Sequence, residues 1–112
     1  MSHISITPAG KTIRVLWKGH VVATSNHALD LKEGGAPVVR YIPRADADMR
    51  FFSATERKTR CPYKGEASYF SLKDGGDHAD NAVWSYETPI ADAAAIAGHL
   101  AFYPNVVTFE EG

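Results

Sequence analysis

Thr12-Ile13-Arg14-Val15-Leu16-Trp17-Lys18-Gly19-His20-Val21-Val22-Ala23-Thr24 reads as two strands joined by a two-residue turn. Ile13, Val15 and Trp17 fall on one face of a period-two pattern, the signature of a half-buried strand. Lys18-Gly19, with Gly second, is a tight hairpin signal, although Lys is less usual there than Asn or Asp.

The same punctuation runs outward in both directions. Ile4-Ser5-Ile6-Thr7 alternates as a short strand, and Ala28 to Leu31 is another short candidate. Gly34-Gly35-Ala36-Pro37 is a turn. Val38-Val39-Arg40-Tyr41-Ile42 is the most pronounced strand, and Pro43 stops it. Arg44 to Asp48 suits one helical turn, while Met49 to Phe52 and Thr55 to Thr59 are short strand candidates. Glu66 to Leu72 carries Tyr69 and Phe70 as a strand, and Lys73-Asp74-Gly75-Gly76-Asp77 opens a polar loop. Ala82 to Glu87 places Trp84 and Tyr86 on one strand face.

One helix is expected near residues 89–101. Thr88 can cap it, Pro89 suits its first turn and Asp92 complements its N-terminus. Ala93, Ile96, Ala97, Leu100 and Ala101 repeat at helical spacing as one apolar stripe. Pro104 ends the segment, and Val106 to Phe109 reads as a last strand. The expected fold is therefore mainly β. Curved antiparallel sheets form a sandwich or half-barrel with one C-terminal α-helix, in a single domain over residues 1–112.

A chain of 112 residues can bury enough surface to fold without staples. Its single cysteine, Cys61, cannot form an internal disulfide. No apolar run approaches the length of a membrane span. The start, Met1-Ser2-His3-Ile4-Ser5, lacks the charged and apolar regions of a signal peptide. These features predict a cytoplasmic protein in a reducing environment, with no membrane partner. The net charge of −1 is unevenly spread: residues 1–39 carry +2, residues 40–64 carry +4 and residues 65–112 carry −7. A generic nucleic-acid binder is basic throughout, so no nucleic-acid partner is expected. The middle segment can still form a local anion site.

Arg60-Cys61-Pro62-Tyr63-Lys64-Gly65 is the most distinctive stretch. Pro62 biases Cys61 toward an extended backbone, and Gly65 permits a tight turn or close approach to a ligand. Arg57, Lys58, Arg60 and Lys64 surround the thiol in sequence, and positive charge favours a nucleophilic thiolate. The plainer reading makes Cys61 a small buried apolar side chain. No metal site and no cofactor are expected. Structural zinc needs four close Cys or His ligands, whereas His3, His20, His27, His78 and His99 are scattered. Neither a phosphate-binding glycine loop nor a Gly-x-Ser-x-Gly nucleophile elbow is present. Asp74-Gly75-Gly76-Asp77 lacks the twelve-residue calcium pattern and reads as a solvated turn. The aromatic load is heavy for so short a chain. Most of these rings belong in a core, but Tyr and Trp also carry polar tips suited to a pocket mouth.

Several blocks together resemble a known family. They are Ala23-Thr24-Ser25, Glu33, Val39-Arg40-Tyr41-Ile42-Pro43-Arg44, Cys61-Pro62-Tyr63-Lys64-Gly65 with Ala67 and Tyr69, and Ala82-Val83-Trp84-Ser85-Tyr86-Glu87 with Pro89. Ile96-Ala97-Gly98 through Ala101-Phe102-Tyr103 completes the set. The chain resembles, over nearly its whole length, the bacterial domain of unknown function 427 family. The resemblance implies the β-tent or Mss4-like architecture, in which curved antiparallel sheets meet over a groove. Relatives with that architecture include zinc proteins and methionine sulfoxide reductases, but this chain lacks their paired Cys-x-x-Cys motifs, so their metal does not carry over. The family is also labelled nucleotidyltransferase-like. Such enzymes generally hold magnesium with paired acidic residues, and no such pair is read here.

Two functional classes follow, with a third beside them. The first is a module binding a small polar or anionic ligand near the Cys-Pro-Tyr-Lys-Gly segment. Glu33, Arg40, Arg60 and Lys64 are its candidate polar anchors, and Tyr41, Tyr69, Trp84 and Tyr86 its walls. The second is an enzyme using Cys61 as nucleophile or redox thiol, with Lys64 or Arg60 as electrostatic helper. The third is a protein-interaction domain without pocket chemistry.

Overall fold

The computed structural model describes residues 4–112. The leader reading at Met1, Ser2 and His3, and the His3 imidazole, lie outside the described residues. In chain order the strands are β1 (Ile4–Pro8), β2 (Ile13–Trp17), β3 (His20–Ser25), β4 (Leu29–Glu33), β5 (Val39–Tyr41), β6 (Phe52–Cys61), β7 (Gly65–Asp74), β8 (Asp77–Ser85), β9 (Ala101–Phe102) and β10 (Thr108–Glu111). They form three antiparallel sheets, ordered β1-β4-β5, β10-β2-β3 and β6-β7-β8-β9. The mainly-β expectation holds. No helix among the described residues is long and apolar enough to cross a membrane.

The opening hairpin forms as its sequence dictates. Lys18 and Gly19 both take positive φ, 49° and 82°, which matches the strand twist in a two-residue turn. Ile13, Val15 and Trp17 all point inward and are buried. They meet Val22 from the same sheet and Phe52, Leu72, Val83 and Phe102 from the third sheet. Each such side chain stabilises the fold by roughly 1.5–3 kcal/mol. A second core lies between the first and third sheets, where Leu31 and Tyr41 pack with Ala67, Tyr69, Tyr86 and Ile96. Ile42 and Leu100 link the two sheets directly: each backbone N–H donates to the other's carbonyl at 2.8 Å.

The C-terminal α-helix expected near residues 89–101 does not form. Ala91–Ile96 is a short 3-10 stretch, and Ala93 leaves helical geometry at φ −115°, ψ 17°. The Gly98 N–H donates to the Tyr86 carbonyl at 3.0 Å, so the chain returns to the sheet it left. Ala101 and Phe102 then pair with Trp84 and Val83. An isolated helix below about 12–15 residues is marginal even when alanine-rich. Strand pairing and complete burial of Ile96, Leu100 and Ala101 therefore outweigh local propensity. The apolar stripe was a burial signal rather than a helical one. Met49–Phe51 is likewise a 3-10 turn rather than a strand, because the Asp48 carboxylate caps it by accepting from the Arg50 N–H at 3.2 Å.

Candidate functional site

Cys61-Pro62-Tyr63-Lys64-Gly65 is the connection between β6 and β7, with Cys61 and Gly65 facing each other in the ladder. Inside it the Lys64 N–H donates to the Cys61 carbonyl at 3.3 Å. The Lys64 carbonyl accepts from the Ile90 N–H at 2.9 Å. Gly65 takes φ 112°, and a β-carbon there would sit 3.5 Å from Pro89 Cα and 3.5 Å from Ile90 N. The turn is thus clamped against residues 88–90. Held this way, Lys64 sends its side chain inward, leaving it 11% exposed, and Nζ donates to Glu33 Oε1 at 2.6 Å. Burial pulls the Lys64 ammonium toward deprotonation. The hydrogen bond to Glu33 and the neighbouring Cys61 side chain outweigh it, so its pKa lies above the ordinary lysine value.

Aromatic rings surround this ion pair. Lys64 Nζ stands 6.0 Å from the centre of the Tyr86 ring. The Trp84 indole N–H donates to the Tyr41 hydroxyl at 3.3 Å. The Tyr69 hydroxyl shares a 2.8 Å hydrogen bond with Thr59 Oγ1. The Arg57 guanidinium lies over the Tyr69 ring, 4.9 Å from its centre. Burial raises the Tyr41 phenol above its ordinary pKa, and raises Tyr86 much further. Tyr69 is shifted down instead. Burial opposes its ionisation, but hydrogen bonds involving Thr59, Arg57 and Tyr103 prevail. Glu33, Lys64 and the rings of Tyr41, Tyr69, Trp84 and Tyr86 border a cavity of about 260 Å³, with Leu31 and Val39 supplying aliphatic wall.

Six of the residues singled out from sequence meet here: Glu33, Tyr41, Lys64, Tyr69, Trp84 and Tyr86. Three others do not line the cavity. Arg40 follows Val39 on β5 and so points to the opposite face, where Nε donates to Asp30 Oδ1 at 3.0 Å and Nη1 to Glu111 Oε2 at 2.6 Å. Arg60 lies exposed on β6. Cys61 is half-buried and packs against the second core, and it is not among the residues bordering the cavity. Sequence reasoning left Tyr103 out of the site. Its ring centre lies 4.8 Å from that of Trp84, because β9 pairs Ala101 with Trp84 two residues earlier. The signal was the Ala-Phe-Tyr run, concealed by its helical reading.

Among the described residues no group of three or more His, Cys, Asp or Glu side chains is placed to hold a metal ion. What the site does present is an ammonium and a carboxylate side by side, so hydrogen-bond donor and acceptor lie next to ring faces. Glu33 is the one carboxylate among the described residues bordering it, so paired magnesium-holding acids are not assembled there.

The model of a domain of unknown function, DUF427, matches residues 5–111. The chain belongs to the DUF427 family. No curated protein matches its sequence. In this DUF427 chain the two most specific sequence blocks converge on one cavity: Cys-Pro-Tyr-Lys-Gly contributes Lys64, and Trp-Ser-Tyr contributes Trp84 and Tyr86.

Proposed function

We propose that this DUF427 domain is a small-molecule binding module whose ligand presents a planar group with an amide-like polar edge. The observation that carries the reading is the Lys64–Glu33 pair, 2.6 Å long and set among Tyr41, Tyr69, Trp84 and Tyr86. A carbonyl oxygen of the ligand accepts from the Lys64 ammonium, and an adjacent N–H donates to Glu33. Aromatic walls suit a flat partner, since offset or edge-to-face ring contacts add to the gain from burial. The pair is internally neutral, which narrows the polar or anionic ligand expected from sequence to a polar uncharged one. A free carboxylate would meet Lys64 but be repelled by Glu33, and a free ammonium the reverse. Cys61 itself does not line the cavity, although its side chain neighbours Lys64.

The test is a proton–nitrogen NMR titration with benzamide, compared with benzoate and benzylammonium. Benzamide is expected to shift the Trp84 indole and Lys64 resonances and to bind more tightly than either charged analogue. The double variant Lys64→Gln/Glu33→Gln, which leaves no unpaired charge, is expected to weaken it. Benzamide shifts that avoid these residues, or equal affinity for all three probes, would overturn the reading.

A further inference from the structure

A second cavity, of about 320 Å³, lies on the other side of Trp84. Val38, Phe102, Pro104 and Phe109 border it, and it shares Pro37, Val39 and Trp84 with the polar pocket. Its walls are almost wholly apolar. Val38 stands out as a large apolar side chain left 52% exposed. Arg40 is the one charged residue bordering it, and that guanidinium is already bound to Asp30 and Glu111. The groove therefore offers an apolar surface suited to hydrocarbon and little free charge for a polar group.

We propose that the two cavities are halves of one site for an amphipathic small molecule, its polar edge at Lys64 and Glu33 and its hydrocarbon or aryl tail across Trp84 in the Val38–Phe102–Phe109 groove. This rests on the reading of the polar pocket given above. Two observations favour a tail of that same ligand as the occupant. First, the groove and the pocket are neighbours that share Pro37, Val39 and Trp84 as lining residues. Second, each cavity alone sits at or near the lower end of the roughly 300–1,000 Å³ typical of small-molecule sites, whereas the pair falls well within it. The Arg40–Glu111 pair, 2.6 Å long, ties β5 to β10 beside the groove. That tie works against a long strand or helix from a protein partner settling there.

The experiment compares benzamide with 4-butylbenzamide in the same NMR titration. The butyl compound is expected to perturb Val38, Phe102 and Phe109 in addition to Lys64 and Trp84, and to bind about tenfold more tightly or better, as burial of several methylenes requires. Nuclear Overhauser contacts from the butyl protons to the Phe102 and Phe109 rings locate the tail without any variant. Val38→Asp, at an exposed position, is expected to erase the butyl gain and leave benzamide affinity unchanged. A butyl compound no tighter than benzamide, with shifts confined to the polar pocket, would overturn this inference while leaving the polar-pocket reading intact. Shifts in the groove with Lys64 and Trp84 indole unmoved by either compound would overturn the polar-pocket reading itself, and with it the joined site.

Discussion

The Trp84 indole N–H points at the Tyr41 hydroxyl from 3.3 Å away, so a residue of the third sheet is hydrogen-bonded to one of the first across the pocket. Tyr41 is 1% exposed, and its hydroxyl has no ready access to water. Trp84→Phe keeps a ring in place but removes the donor. A buried polar group left unmatched costs about 1–3 kcal/mol. Urea denaturation of Trp84→Phe should show a lower midpoint with an unchanged slope. An unaltered midpoint would show that the hydroxyl finds another partner.

Lys64 and Glu33 are 11% and 30% exposed, so neither charge is fully in water. Removing one partner strands the other. Fully buried pairs lose about 3–5 kcal/mol this way, and the partial exposure here should make the loss smaller. Lys64→Met is expected to destabilise the domain more than Lys64→Met/Glu33→Leu, which strands nothing. A double variant less stable than the single one would argue that the pair itself holds the turn in place.

Alkaline stability tests the buried phenols. Tyr41 and Tyr86 are held above the ordinary tyrosine value by burial, and Lys64 also keeps its proton longer than an ordinary lysine. The folded state thus retains protons that the unfolded chain releases near pH ~10. Their contribution is fully present below that pH and is lost as pH rises through the folded-state values. Tyr69, shifted the other way, offsets part of it. Urea midpoints should fall between pH 9 and 11.5 (roughly the range bracketing free tyrosine), and Tyr86→Phe should flatten the decline. A midpoint that rises over this range would contradict the assignment.

Gly65→Ala should be costly although no hard clash awaits its methyl. The nearest atoms, Pro89 Cα and Ile90 N, would lie at 3.5 Å, an ordinary contact. The strain is in the backbone, where φ is 112°. Residues forced into such regions lose about 1–3 kcal/mol. Thermal denaturation should show the loss, and weakened benzamide binding should accompany it, because the turn sets the direction of Lys64. Full stability in Gly65→Ala would mean that the turn has a second accessible conformation.

Much of the sheet structure is legible from residue order alone. Ile13, Val15 and Trp17 alternate, and all three are buried; Lys18-Gly19 turns where a two-residue turn must. The pocket walls Tyr41, Tyr69, Trp84 and Tyr86 follow from strand parity. The late segment is not legible because Ala93, Ile96, Leu100 and Ala101 carry a stripe that both a helix and a returning, irregular strap can bury. Only the partners choose, and Leu100 finds Ile42, 58 positions back, which no local window contains. Arg40 shows the same limit. Its neighbours in sequence suggest a ligand anchor, whereas Asp30 on the adjacent strand and Glu111, near the opposite end, take up its charge. The basic segment around Cys61 dissolves for a related reason. β-strand alternation and a bulge between Ala54 and Lys58 leave Arg57, Lys58 and Arg60 exposed, Arg57 lying over the Tyr69 ring, and Lys64 alone turns into the cavity.

The reciprocal bonds between Ile42 and Leu100 fix more than chain path. Tyr41 precedes one of these residues, and Ala101, the ladder partner of Trp84, follows the other. Main-chain bonds therefore fix how far the strand carrying Tyr41 stands from the one paired with Trp84, so side-chain rotation cannot change the spacing of these two pocket residues much. For the binding module proposed above, this spacing would sort ligands by thickness before polarity, disfavouring saturated, puckered rings relative to flat ones of equal hydrogen-bonding capacity.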